Sequence, residues 1–112
     1  MKSKPLVTSA PALGDITAAI GRYKREVGPQ IADRFAGDLQ SILVRIGQFP
    51  AAGSPRYAHE VNFPGLRSVR LRRFPFLILY VERADRVEIL RVLHARRDIP
   101  VSLVGEEPSD DT

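Results

Sequence analysis

The sequence predicts a two-layer α+β sandwich, in which a helix hairpin packs on a mostly antiparallel four-stranded sheet in the order βααβββ. Two observations support this prediction. Apolar residues recur every three or four positions over residues 9–49, and they alternate or run continuously over residues 66–93. A chain of 112 residues buries roughly two-thirds of its unfolded surface, enough for one core. We assign residues 1–104 to one domain and residues 105–112 to an acidic, disordered tail.

The first element is a short strand over residues 4–8, which leads directly into a helix. Ser9 is a good helix N-cap, and Pro11 falls in the first turn, where its missing N–H costs no hydrogen bond. A single apolar stripe marks the helix and is expected to face the sheet. Its members are Leu13, Ile16, Ile20, Tyr23 and Val27.

A second helix should follow at once, because Gly28 suits a helix C-terminus and Pro29 suits the first turn of the next helix. Pro50 should end it. Its apolar stripe consists of Ile31, Phe35, Leu39, Ile42, Ile46 and Phe49. Two amphipathic helices joined this tightly should fold back as an antiparallel hairpin, with the aromatic residues of both stripes in the core.

Three strands are expected after a loop over residues 50–65 that is rich in Pro, Ala, Gly and Ser. Residues 66–74 alternate in polarity, and residues 76–81 form a continuous apolar run, as expected of a central strand covered on both faces. A polar turn over residues 83–86 connects this run to the last strand, residues 87–93. The sheet residues expected beneath the helices are Val69, Leu71, Ile78, Tyr80 and Ile89.

Composition excludes several classes of function. The chain has no Cys, which rules out disulfides, zinc–thiolate sites and thiol chemistry. The longest apolar run is too short to span a bilayer, and residues 1–10 lack the apolar region of a signal peptide, so a cytoplasmic location is expected. His59 has no partner at metal-ligand spacing, and we expect neither a metal nor a cofactor.

The charge of the chain points to an anionic partner. Seventeen Lys and Arg stand against 13 Asp and Glu, but four of the acids lie in residues 105–112. Over residues 1–104, 17 basic residues therefore face nine acidic ones, a net charge of +8. Fourteen of the basic residues are Arg, and nine of these fall between Arg67 and Arg97. A domain with this charge is expected to bind nucleic acid or an acidic protein surface. The alternative is that the arginines only form a solvated surface and bind no partner.

Five segments carry a resemblance to a known family. They are Ser-Ala-Pro-Ala at 9–12 followed by Asp-Ile at 15–16, Phe-Pro-Ala-Ala-Gly-Ser-Pro-Arg at 49–56, Gly-Leu-Arg-Ser at 65–68, Leu-Arg-Arg-Phe-Pro-Phe-Leu-Ile-Leu-Tyr at 71–80, and Val-Glu-Ile-Leu-Arg-Val-Leu-His-Ala-Arg-Arg-Asp at 87–98. In this order and spacing, over about residues 5–103, the chain resembles the RelE/ParE superfamily of type II toxin–antitoxin systems. The resemblance implies a small bacterial toxin that a cognate antitoxin neutralises in a hetero-oligomeric complex.

The resemblance leaves two modes of action open. RelE-like members cleave mRNA in the ribosomal A site, and ParE-like members bind DNA gyrase. Cleavage needs an acid, a base and cations, and the RelE-like members that resemble this chain use Lys or Glu on the sheet with Tyr or His near the C-terminus. Here no Lys follows Lys24 and no Tyr follows Tyr80. His94 and Glu88 are roughly 20 Å apart along an extended strand, too far to act together.

We therefore favour a ParE-like toxin that binds its target. A ribosome-dependent ribonuclease, another target, or an inactive protein are the alternatives. If the chain is a ribonuclease, its catalytic candidates are His94, Arg67 and Arg91.

The candidate residues of a binding toxin fall into two sets. The target-binding candidates are Arg67, Arg70, Arg72, Arg91, His94, Arg96 and Arg97, of which the last two are favoured because they follow the final strand. We also expect His94 to close the end of that strand through hydrogen bonds. An antitoxin segment should fold into an apolar groove between the helix hairpin and the sheet edge. The groove candidates are Leu13, Ile20, Phe35 and Leu39.

Overall fold

The computed structural model describes residues 3–98 and has the predicted element order. Its elements are strand β1 (Leu6–Thr8), helices α1 (Ala10–Glu26) and α2 (Pro29–Gln48), a 3-10 turn (Pro50–Ala52), and strands β2 (Leu66–Arg70), β3 (Phe76–Glu82) and β4 (Val87–His94). Strand β2 is shorter than predicted, because the chain turns after Arg70. The predicted tail, residues 105–112, lies outside the described residues, as does the end of the predicted domain.

The four strands form one sheet in the order β1-β4-β3-β2. Strand β3 pairs antiparallel with both β2 and β4, while β1 pairs parallel with β4. The sheet is therefore mixed but mostly antiparallel, and the predicted α+β class is confirmed. Strands β1 and β2 form its two edges, with the helix hairpin on one face.

Ser9 starts α1 and also ties it to the sheet. Its hydroxyl oxygen accepts a hydrogen bond from the Ala12 amide at 3.1 Å, which confirms the predicted N-cap. The same hydroxyl donates to the Leu90 carbonyl of β4 at 3.0 Å. The break at Gly28 and Pro29 is also confirmed, and Gly28 takes a positive φ of 143°.

Helix α1 meets the sheet through part of the predicted stripe, since Ile16, Ile20 and Tyr23 pack against the core. Ala12 and Ala19 are buried in the core, while Leu13 is 55% exposed, so the prediction that Leu13 faces the sheet is wrong. Alanine side chains let a helix approach a sheet closely, which explains why α1 turns these small residues inward. The prediction of a core position for Phe49 is also wrong, because this residue follows the last turn of α2 and is 50% exposed.

The rest of the main core follows the sequence prediction. Phe35, Leu39 and Ile46 of α2 are buried, and the predicted sheet residues belong to or pack against the same cluster. An aromatic group closes one end of this core, with ring centroids 5.0–6.3 Å apart. Its members are Tyr23, Phe35, Phe74 and Phe76.

The loop before β2 covers part of the other face of the sheet. Tyr57 and Phe63 pack there with the sheet residues Leu77, Leu79 and Leu93. This second cluster explains why β3 is buried along almost its whole length, as its continuous apolar run predicted. The sequence did not indicate which segment supplies this cover.

A β-bulge in β4 decides which way its last residues point. Leu79 pairs with Arg91 but Tyr80 pairs with Ile89, so Leu90 is the extra residue. After the bulge, Val92 lies in the core beneath the helices and Leu93 in the second cluster. The bulge therefore shifts by one residue the face on which the end of β4 presents its side chains.

Candidate target-binding surface

The strand register brings four exposed arginines to one end of the sheet. Phe76 at the start of β3 pairs with His94 at the end of β4, and Leu77 pairs with Arg70 at the end of β2. The arginines that end or follow these two strands therefore share one end of the molecule. We call this surface the basic end, defined by Arg70, Arg72, Arg96 and Arg97. Within residues 3–98, the structure records no hydrogen bond or ion pair for these four side chains.

Two other arginines predicted to bind the target are engaged within the fold. Arg67 donates from Nη1 to the Gly53 carbonyl at 2.7 Å and so holds the loop before β2. Arg91 makes a bidentate contact to the Asp15 carboxylate, with Nε and Nη2 at 2.8 and 2.9 Å from its oxygens. Asp15 also accepts the Val92 amide at 2.9 Å, so this contact fixes α1 against the bulged strand. Both arginines therefore brace the scaffold through their side chains.

His94 closes the end of β4, as predicted. Its Nδ1 accepts the backbone amides of Arg96 and Arg97 at 3.1 and 3.2 Å. The His94 amide donates to the Asp98 carboxylate at 2.9 Å, and the Asp98 amide returns a bond to the His94 carbonyl. These contacts fold residues 95–98 into a turn, so the arginines that follow β4 start from a defined backbone.

The same contacts keep the His94 ring neutral. Partial burial lowers its pKa below the usual 6.5, and Arg97, Arg22 and Arg96 act in the same direction while Asp98 opposes them. Protonation would also set an Nδ1–H against the two amide N–H groups that it now accepts. The neutral imidazole must therefore carry its proton on Nε2.

The free energy of unfolding should fall as the pH drops through about 6.5. In this range the unfolded chain takes up a proton on His94 more readily than the folded chain, because the folded pKa is the lower of the two. Urea unfolding at a series of pH values would measure the slope. His94→Asn, which keeps an acceptor near the position of Nδ1, should remove this part of the slope. Substitution of the exposed His59 by Asn is the control, and an unchanged slope in His94→Asn would contradict the assignment.

Among residues 3–98, the carboxylate recorded in contact with His94 is that of the turn residue Asp98, which accepts the His94 backbone amide. Glu88 lies at the opposite end of β4, where it accepts from Arg83 at 3.0 Å and from Arg86 at 3.0 and 3.3 Å. Hydrogen bonding from these two arginines lowers the pKa of Glu88. His94 and Glu88, the acid–base pair that the ribonuclease alternative would need, therefore lie at opposite ends of β4, as their spacing in the sequence predicted. Each is already hydrogen-bonded to other residues.

An apolar groove of about 180 Å³ lies between α2 and the edge strand β2, next to the 3-10 turn. Its lining includes Ile42, the exposed Phe49 and Val69. A groove at the predicted place, between the hairpin and the sheet edge, is therefore present with a different lining. The predicted groove role does not hold for Phe35 and Leu39, which are 0% and 4% exposed.

Leu13 and Ile20, the other two groove candidates, lie on α1 and remain partly or largely exposed. The sequence signal for Phe49 was its position at the end of the apolar stripe, directly before Pro50. From that position we predicted that Phe49 lies in the core. The helix instead ends at Gln48, and the Phe49 ring is exposed.

Other kinds of site find no support in the described part of the chain. Residues 3–98 contain no group of three or more His, Cys, Asp or Glu side chains that could hold a metal ion. None of their helices is long and apolar enough to cross a membrane.

Comparison with known proteins bears on the family and the fold of the chain. A family model described as ParE toxin of type II toxin-antitoxin system, parDE, matches residues 6–99. No curated protein matches the chain. A solved structure titled "Chromosomal ParDE TA system from P. aeruginosa" is similar, with a TM-score of 0.72 and 24% sequence identity, covering 84% of this chain and 98% of that one. At this identity the structural likeness supports the fold.

Proposed function

Since the chain belongs to the ParE toxin family of type II toxin–antitoxin systems, we propose that it inhibits DNA gyrase by binding it and that a cognate antitoxin neutralises it. Both partners would be met in the cytoplasm. The observation that carries the proposal is the basic end, where four exposed arginines project from one end of the sheet. Guanidinium groups make bidentate contacts to carboxylate and phosphate, both of which a gyrase–DNA complex offers.

The placement of the basic end suits a binding surface. Arg96 and Arg97 lie in the turn that His94 and Asp98 hold together, and Arg70 lies at the end of a paired strand. Side chains that start from a fixed backbone lose less conformational entropy on binding than those of a mobile segment. Their positive charge also steers the chain toward an anionic partner and raises the association rate.

The groove between α2 and β2 supports the second half of the proposal. It combines the exposed ring of Phe49 and the half-buried side chain of Val69 with the nearby charge of Arg45. An amphipathic antitoxin helix with acidic residues on its flank would cover the apolar groups and pair with this arginine. The groove is separate from the residues of the basic end, so neutralisation and toxicity can be perturbed independently.

The proposal predicts that Arg96→Ala combined with Arg97→Ala lowers inhibition of purified gyrase by about tenfold or more, because each truncated interface arginine costs on the order of 1 kcal/mol. The measurement is a plasmid supercoiling assay beside a growth assay of induced cells. Arg96→Lys with Arg97→Lys should also weaken inhibition, because Lys lacks the guanidinium fork.

Phe49→Ser should leave gyrase inhibition unchanged but abolish protection by the antitoxin, because it removes an exposed apolar side chain from the proposed antitoxin groove.

The matched control is Arg25→Ala with Arg34→Ala, which removes the same charge from exposed helix positions. It should inhibit gyrase like the unmodified chain. Full inhibition by the variant altered at 96 and 97, with its melting temperature unchanged, would refute the assignment of these residues. Cleavage of ribosome-bound mRNA by the purified chain, lost on His94→Ala, would refute the proposed binding mechanism.

A further inference from the structure

A pocket of about 230 Å³ lies between the last turns of α1 and the end of β4. Four of the side chains that line it carry N–H or O–H donors: Arg22 and Tyr23 on α1, and His94 and Arg97 at the end of β4. A second hollow of about 170 Å³ shares Arg22 and Arg97, so these two arginines lie across a single cleft. The pocket thus collects donors from two elements that are far apart in sequence.

The donor of His94 is fixed by its hydrogen bonds. Because Nδ1 accepts two backbone amides, the proton of the neutral ring is on Nε2. The structure records no acceptor for this N–H among residues 3–98. No buried side-chain nitrogen or oxygen in that range lacks a partner, so Nε2 must be open to solvent. The Tyr23 hydroxyl is in the same situation, with no recorded partner and therefore an accessible oxygen.

The field in the pocket is positive on the side of Arg97. After burial, Arg97 is the strongest influence that lowers the pKa of His94. Burial raises the pKa of Tyr23, and the charge of Arg97 opposes that rise, so the same guanidinium group acts on both side chains. Arg22 also lowers the pKa of His94, although its Nε atom is paired with Oε1 of Glu26 at 3.3 Å. Asp98 lines the neighbouring hollow and opposes them. Glu26 itself also lines the pocket, paired with Arg22. An anion there would therefore meet the Arg97 guanidinium group, which has no recorded partner among residues 3–98, the Arg22–Glu26 ion pair and two neutral donors.

We propose that this pocket binds the phosphate group of a small organic molecule. Arginine forks and neutral N–H and O–H donors match the three terminal oxygens of a phosphate monoester. The rings of Tyr23 and Phe76 supply an apolar wall for the group that carries the phosphate. The volume is below the roughly 300–1,000 Å³ of pockets for drug-sized ligands, so the organic part is about one ring in size. The proposal goes beyond the proposed function, because its ligand is neither gyrase nor an antitoxin.

Titration of the purified full-length chain with inorganic phosphate and with phenyl phosphate tests the proposal, at constant ionic strength and a pH of about 7.5 set by a non-phosphate buffer. Amide chemical shifts report the binding. Saturable shifts at the end of α1 and around His94 are expected, with a dissociation constant on the order of 1 mM for phosphate and tighter binding of phenyl phosphate. Acetate, as the carboxylate probe, should bind more weakly than either. Acetate binding that equals or exceeds phosphate binding would overturn the choice of phosphate.

Two variants locate the site. His94→Asn keeps an acceptor for the amides of the turn but removes the Nε2–H, and Arg22→Gln removes one guanidinium group while leaving the helix intact. Each should weaken phosphate binding by about tenfold or more. Arg34→Gln, an equal loss of charge at an exposed site outside the pocket, should leave it unchanged. Shifts that do not saturate, or equal weakening by Arg34→Gln, would overturn the proposal. The readout is ligand binding alone. A negative result would therefore refute the phosphate site without refuting gyrase inhibition, and a failure of the gyrase proposal would not refute the phosphate site.

Discussion

Leu39→Ala should lower the free energy of unfolding by about 2–5 kcal/mol. Leu39 is 4% exposed in the core between α2 and the sheet, so the shorter side chain loses its apolar transfer energy and leaves a cavity. Chemical denaturation at neutral pH measures the change. The range reflects how far the surrounding side chains can relax into the space.

Leu13→Ala is the matched control, because it makes the same chemical change on a side chain that is 55% exposed. Its effect should stay within about 0.5 kcal/mol, as for most surface substitutions. The two variants together test the face of α1 and α2 that meets the sheet. Equal losses of stability at the two positions would show that Leu13 is buried like Leu39, and the described packing of α1 would be wrong.

Gly53→Ala should lower the free energy of unfolding by about 1–3 kcal/mol, because it forces an extra methyl group into a packed site. A Cβ at this position would collide with the hydroxyl of Tyr80, a buried side chain. That hydroxyl cannot move freely, since it accepts the Gly53 amide at 3.0 Å and donates to the Pro50 carbonyl at 2.7 Å. Burial raises the pKa of Tyr80, which keeps this donor protonated.

Gly37→Ala should change the free energy of unfolding in the opposite direction to Gly53→Ala. Gly37 lies within α2 with no atom within 4 Å of a Cβ placed there, so alanine should raise stability by about 0.5–1 kcal/mol through its helix propensity. Adding Tyr80→Phe to Gly53→Ala should cost less than the sum of the two single changes, because phenylalanine lacks the hydroxyl oxygen, which makes the closest of the clashes with the added methyl group. Additive costs would mean that the loop at Gly53 is destabilised for another reason.

The proposed binding surface depends on contacts that also hold the scaffold together. The Asp15 carboxylate on α1 accepts hydrogen bonds from the Arg91 side chain and the Val92 amide of β4. These bonds hold β4 against α1 just before the strand ends. The turn in which Arg96 and Arg97 lie begins only two residues later. A variant that breaks the Asp15 contact would therefore disturb the basic end indirectly, and a loss of toxicity in it would say little about the arginines themselves.

The sequence by itself determined the features that depend on neighbours a few residues apart. Ser9 and the Gly28-Pro29 break set the helix boundaries, because capping and proline sterics act within one turn. The apolar run of β3 predicted its central position, and the spacing of His94 and Glu88 argued against an acid–base pair. The local patterns also carried the family resemblance, which the match over residues 6–99 confirmed.

Only the tertiary structure decided the features that depend on contacts between distant segments. The parallel pairing of β1 with β4, and the bulge at Leu90, depend on partners about 80 and ten residues away, and neither alters the local hydrophobic pattern. An apolar stripe does not say whether leucine or alanine sits closest to the sheet, so Leu13 was placed inward although Ala12 and Ala19 fill that position. The arginines divide between the scaffold and the basic end for the same reason. Their spacing in the chain is similar, but only strand register and cross-chain hydrogen bonds determine which of them remain exposed and unpaired among the described residues.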